Sequence, residues 1–84
     1  MSCTLQILRR AQKQLARIPP PDFDRITSAV QELARNLRPP GCKKLTEREG
    51  WRIRIGNYRV IYEIDDLNRI VTVMDIGDRK DVYR

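Results

Sequence analysis

The amino-acid sequence predicts an α+β fold of order β-α-α-β-β-β-β, with a helical hairpin packed on one face of a small, mainly antiparallel twisted sheet. Three observations carry this. Trp51 to Ile55 and Tyr58 to Tyr62 flank Gly56-Asn57 as a β-hairpin. Two apolar stripes of helical spacing occupy the first half of the chain. Pro19-Pro20-Pro21 separates them.

The hairpin organises the rest. Trp51, Ile53 and Ile55 alternate with Arg52 and Arg54, the period-2 pattern of a half-buried strand. A Gly-first two-residue loop predicts a type II′ turn. That turn fixes the register: Ile55 faces Tyr58, Arg54 faces Arg59, Ile53 faces Val60, Arg52 faces Ile61 and Trp51 faces Tyr62. Residues opposite one another share a face. Trp51, Ile53, Ile55, Tyr58, Val60 and Tyr62 therefore form a core face, and Arg52, Arg54 and Arg59 gather on the other.

In chain order, Thr4 to Leu8 reads as a short strand. Leu8, Ala11, Leu15 and Ile18 then recur at helical spacing until the three prolines stop the helix. Asp22 is the expected N-cap of a second helix, with Phe23, Ile26, Val30, Leu33 and Leu37 as its stripe and Pro39-Pro40-Gly41 as its end. Lys43 to Leu45 reads as an edge strand, where lysines discourage further pairing. Asp65 to Asn68 is a turn. Arg69 to Ile76 is a central strand, with Gly77 expected to break it.

One domain over residues 1–84 is expected from the length, with about 60–65% of the unfolded surface buried. Seventeen basic and eleven acidic residues give a net charge of +6, which favours a nucleic acid or an acidic protein as partner. No apolar run is long enough for a membrane helix, and Arg9 and Arg10 interrupt what a signal peptide would need, so a cytoplasmic location is expected. Cys3 and Cys42 make no metal spacing and are expected to stay reduced. The chain has no histidine, which removes the usual neutral-pH general base and every His-dependent triad or metal site. No cofactor or metal is expected.

Like charges opposite each other destabilise a sheet, and arginine cannot shed its proton to relieve this. Three arginines on one rigid face therefore point to a polyanion, phosphate being the natural candidate; a solvated face is the plainer alternative.

The chain resembles RelE-type toxins of the RelE/ParE superfamily. The resemblance lies in the element order, the helix ending at Pro19, the run from Trp51 to Tyr62, and the ending Ile76-Gly-Asp-Arg-Lys-Asp-Val-Tyr83-Arg. It implies a type II toxin that cuts mRNA in the ribosomal A site without metal, by attack of a ribose 2′-hydroxyl on the adjacent phosphate. It implies an acidic, partly disordered antitoxin partner, besides ribosome and mRNA, with Lys43, Lys44, Arg48, Arg9, Arg10, Lys13 and Arg17 as ribosomal RNA contacts that position phosphates; an ordinary solvated face is their plainer alternative. The family's catalytic positions fall on Arg52, Arg54, Arg59, Arg79 and Tyr83. Arg52 and Arg54 stand where some relatives carry lysine, and Asp78 where many carry histidine or lysine. An arginine with a pKa above ~12 is a poor base. Tyr83 is then the best remaining proton-transfer group, or a stacking platform. The alternatives are a ParE-like toxin directed at gyrase, and an inactive basic module that works with its antitoxin as a co-repressor.

Overall fold

The computed structural model describes residues 3–78. The elements run β1 (Thr4–Ile7), α1 (Arg9–Ala16), α2 (Asp22–Leu33), β2 (Lys43–Lys44), β3 (Trp51–Ile55), β4 (Tyr58–Asp65) and β5 (Ile70–Asp78). The expected order holds throughout. The five strands form one sheet in the order β1-β5-β4-β3-β2, parallel between β1 and β5 and antiparallel elsewhere.

The hairpin register is the one the two-residue loop dictates, in all five pairs from Trp51–Tyr62 to Ile55–Tyr58. Gly56 has φ +60°, the left-handed value that a type II′ turn demands at its first central position. Ile53, Val60 and Tyr62 meet Val71, Val73 and Ile76 of β5 under the helices. The helices contribute Ala11, Ile18, Ile26, Val30 and Leu33 to the same cluster. α1 lies against β5 and α2 against β3.

Several boundaries differ from the sequence reading. Leu8 is 41% exposed rather than part of the α1 stripe, because its backbone N–H is taken by Val73 as the chain leaves β1. Pro21, not Asp22, is the N-cap of α2; Asp22 is its first helical residue, where a carboxylate complements the positive end of the helix. Phe23 is 37% exposed, at the solvent end of its stripe. α2 ends at Leu33, before the prolines. Pro39-Pro40-Gly41 instead forms a turn closed by the Cys42 amide on the Pro39 carbonyl (3.0 Å). Gly77 does not end β5. Its backbone pairs with Arg59 within the β4–β5 ladder.

Two features shape the sheet around the open face. The β4–β5 register shifts between Ile61 and Tyr62, so that Met74 is an extra residue in β5. Among the described residues, no strand flanks β5 on its β1 side beyond Ile7. There Gln14 of α1 takes the strand's place, its Oε1 accepting the Ile76 amide at 2.8 Å. The Asp66–Arg69 turn closes with Arg69 at φ +58°, and Asp65 accepts from the Asn68 side chain (2.9 Å) and amide (3.0 Å). Those bonds hold the Asp65 carboxyl below its ordinary value.

Candidate functional site

The strand pairings place the charged residues on opposite faces of the sheet. Arg54 stands directly opposite Arg59, and Arg52 opposite Ile61. Lys43 stands opposite Arg52, which puts it on the arginine face, whereas Lys44 pairs with Trp51 on the helix side. From strand spacing and rise, Lys43, Arg52, Arg54 and Arg59 originate within about 10 Å by 7 Å. Lys43 is the member whose place the sequence did not reveal. A two-residue strand carries no periodicity, and only its pairing with β3 sets its parity.

Exposure grades across this patch. Arg54 and Lys43 are exposed, Arg52 is half-buried, and Arg59 on the middle strand retains only 3% of its surface. Ile61, next on β4 with the same parity, is 8% exposed yet lies outside the core cluster. The face is thus an apolar and cationic floor at β4 with solvated cations toward β2 and β3. A charge held below the surface keeps its position and acts through a lower dielectric than an exposed one. Arg79 and Tyr83, the other two expected catalytic residues, lie outside the described residues.

The outlying cations divide. Arg10 is engaged by Asp75, through Nε to Oδ1 at 2.9 Å and through Nη2, and this pairing holds its guanidinium firmly protonated. Lys44 sits 3.9 Å from Glu49 and with its Nζ 5.6 Å over the Trp51 ring. Arg9, Lys13 and Arg17 are exposed on or just after α1, and Arg48 is exposed in the loop before β3. Trp51 belongs with the core, as its parity predicts. Arg38 lies 5.0 Å over its ring and binds Asp66 at 3.0 Å. Among the described residues, no group of three or more His, Cys, Asp or Glu side chains could hold a metal ion. No helix there is long and apolar enough to cross a membrane.

The whole arrangement has close counterparts. Residues 5–83 match the family model described as ParE toxin of the type II toxin–antitoxin system parDE. The chain belongs to the RelE/ParE superfamily of type II toxins. Toxin RelG of Mycobacterium tuberculosis (strain ATCC 25618 / H37Rv) is 32% identical over 90 residues, covering 100% of this chain and 99% of RelG. The toxin also superposes on the crystal structure of the RelBE2 toxin–antitoxin complex of M. tuberculosis. There the TM-score is 0.80 with 25% identity, over 94% of this chain and 100% of that one. It shares its fold with the archaeal RelE–RelB complex of Pyrococcus horikoshii OT3, at a TM-score of 0.83 and 22% identity over 94% and 97% of the two chains.

Proposed function

We propose that this toxin is a ribosome-dependent, metal-independent mRNA endonuclease that inhibits translation in the cytoplasm. The observation that carries the reading is the cross-strand pair Arg54–Arg59, with Arg52 and Lys43 on the same face. Guanidinium forks gathered on one rigid face match the geometry of phosphoryl oxygens. In the proposed reaction the 2′-oxygen attacks the adjacent phosphorus and the bond from phosphorus to the 5′-oxygen breaks. The products are a 2′,3′-cyclic phosphate and a 5′-hydroxyl, the leaving oxygen taking up a proton as the 2′-hydroxyl loses one. Arg52, Arg54, Arg59 and Arg79 neutralise charge growing on the phosphoryl oxygens. Tyr83 moves the proton or stacks on a base.

Arginines do not serve as bases here, so orientation must supply much of the acceleration, and the ribosome provides it by splaying the message. Lys43, Lys44, Arg48, Arg9, Lys13 and Arg17 position RNA backbone; Arg10 does so only in competition with Asp75. The partner is an acidic antitoxin, a reading supported by the RelBE2 and RelE–RelB complexes of the similar proteins.

Cleavage mapping on programmed ribosomes tests this. Wild-type toxin should cut A-site codons and leave naked RNA largely intact, and Arg59→Ala should lower the single-turnover rate by about 10²-fold. Robust ribosome-free cleavage, or an unchanged rate in the variant, would overturn the reading. The description of the matched family as parDE toxins supports a second reading, inhibition of gyrase by binding. It predicts DNA-damage signalling on induction without message cuts. An inactive co-repressor would give neither.

A further inference from the structure

A second basic site occupies the opposite end of the sheet. A groove of about 370 Å³ opens where the loop after α2, the β4–β5 turn and the start of β1 converge. Arg35, Arg38 and Arg69 line it with Asp66, Asn36 and Cys3. Its near rim at Asp65–Asp66 lies about 20 Å along β4 from Arg59, so it is no extension of the arginine face.

The convergence is built from the backbone upward. The Cys3 amide donates to the Ala34 carbonyl (2.7 Å) and the Thr4 amide to Arg69 (2.8 Å), tying β1 to both loops. Tyr62, fully buried, donates its hydroxyl to the Leu37 carbonyl (2.9 Å) and anchors the same loop to the core. Arg38 is held from two sides, by Asp66 and by the Trp51 ring. Arg69 adopts φ +58°, a left-handed conformation that non-glycine residues seldom take. Strain of that kind persists where the surrounding structure fixes it, and it clusters at ligand clamps.

We propose that this groove is a phosphomonoester site, taking a nucleoside 5′-monophosphate or the 5′-phosphate end of an RNA strand. Three guanidiniums and one carboxylate line it, with Glu32 standing 4.0 Å from Arg35 at the rim, so cations outnumber carboxylates where a doubly acidic phosphate monoester would sit. Guanidinium forks suit phosphoryl oxygens, and the volume falls within the range of small-ligand clefts. Leu37 and Cys3 offer an apolar wall for a sugar or base. Asp66 is the resident competitor. It occupies Arg38 until a phosphate displaces it. The site is independent of the nuclease reading, since none of its residues belongs to the arginine face.

Trp51 is the only tryptophan and lies under Arg38, so its fluorescence reports on the groove. The full chain is titrated at low salt with inorganic phosphate, a nucleoside 5′-monophosphate, its unphosphorylated nucleoside, and a trinucleotide with and without a 5′-phosphate. Saturable quenching by the phosphorylated ligands alone is expected. A trinucleotide stronger than the mononucleotide identifies an RNA end as the source, and the reverse identifies a free nucleotide. Arg35→Ala and Arg69→Asn should each weaken binding about fivefold; asparagine tolerates the left-handed backbone at position 69. Asp66→Asn should tighten it, which loss of a merely structural ion pair would not do. Arg54→Ala should leave it unchanged. Binding that survives in the Arg35→Ala/Arg69→Asn double variant, that fails to tighten in Asp66→Asn, or that an acidic peptide matches would overturn the proposal.

Discussion

Tyr62→Phe probes the contact that holds the loop after α2 to the sheet. The ring fills the centre of the core at 0% exposure, and phenylalanine keeps that packing. What goes is the hydroxyl bond to the Leu37 carbonyl at 2.9 Å. The net loss of a hydrogen bond is about 0.5–1.5 kcal/mol, and a buried acceptor left unsatisfied raises the cost to about 1–3 kcal/mol. For a chain of this length each kcal/mol lowers the Tm by roughly 4–8 °C, so a fall of about 4–24 °C is expected. The same hydroxyl gives the deficit a pH signature. Burial, reinforced by Cys42 and only partly opposed by Arg38, raises the Tyr62 pKa well above the ordinary phenol value. A folded-state pKa above the unfolded one contributes stability that is complete below about pH 10, where the unfolded phenol is still neutral. That stability declines as pH rises toward the folded value. Wild type therefore loses stability at about 1.4 kcal/mol per pH unit relative to Tyr62→Phe above pH 10. The two curves should converge near pH 11 in denaturant titrations followed by Trp51 fluorescence. A deficit that stays constant from pH 7 to about pH 11.5 would refute the burial argument, and no deficit at all would refute the hydrogen bond.

Two further substitutions read the sheet's edges. Gly50→Ala should cost about 1–3 kcal/mol by thermal denaturation, because φ is +134° there and a Cβ would stand 3.2 Å from the Tyr62 carbonyl oxygen. Gln14→Ala should cost about 1–3 kcal/mol, since it removes the partner of the Ile76 amide. Hydrogen exchange should show that amide losing protection while those of Val60 and Val73 keep theirs.

The legible parts of this fold are those where periodicity and turn chemistry agree. Gly56-Asn57 admits one register, so five cross-strand pairs and the sidedness of Arg52, Arg54 and Arg59 followed from local sequence. What escaped depends on contacts distant in sequence. Gly77 reads as a breaker because its propensity is poor, but pairing with β4 outweighs propensity. Leu37 continues the helical period of α2, yet the helix stops at Leu33 and Leu37 turns inward from a loop. Lys43 needed the β2–β3 pairing to fix its parity. Arg35, Arg38 and Arg69 lie in two connections that carry no periodic signal, and the Tyr62 and Thr4 hydrogen bonds that gather them are invisible in the sequence.

The burial of Arg59 bears on how the arginine face would work. A guanidinium with 3% exposure on the middle strand of a sheet has little conformational freedom left to lose when an anion arrives. Arg54, directly opposite, is exposed and so keeps more of that freedom. Under the proposed function the two arginines would therefore contribute differently to one phosphate. Arg59 is a fixed charge whose field is present before binding, the preorganised form of electrostatic stabilisation. Arg54 would be the more adaptable clamp, whose loss should fall more heavily on binding than on the chemical step. Lysine at the two positions separates these roles, because it keeps the charge but loses the planar fork. Arg54→Lys should raise the half-saturating toxin concentration on ribosomes and spare the maximal single-turnover rate. Arg59→Lys should lower that rate instead. The opposite assignment of the two effects would show that depth in the sheet does not determine which arginine acts on the transition state.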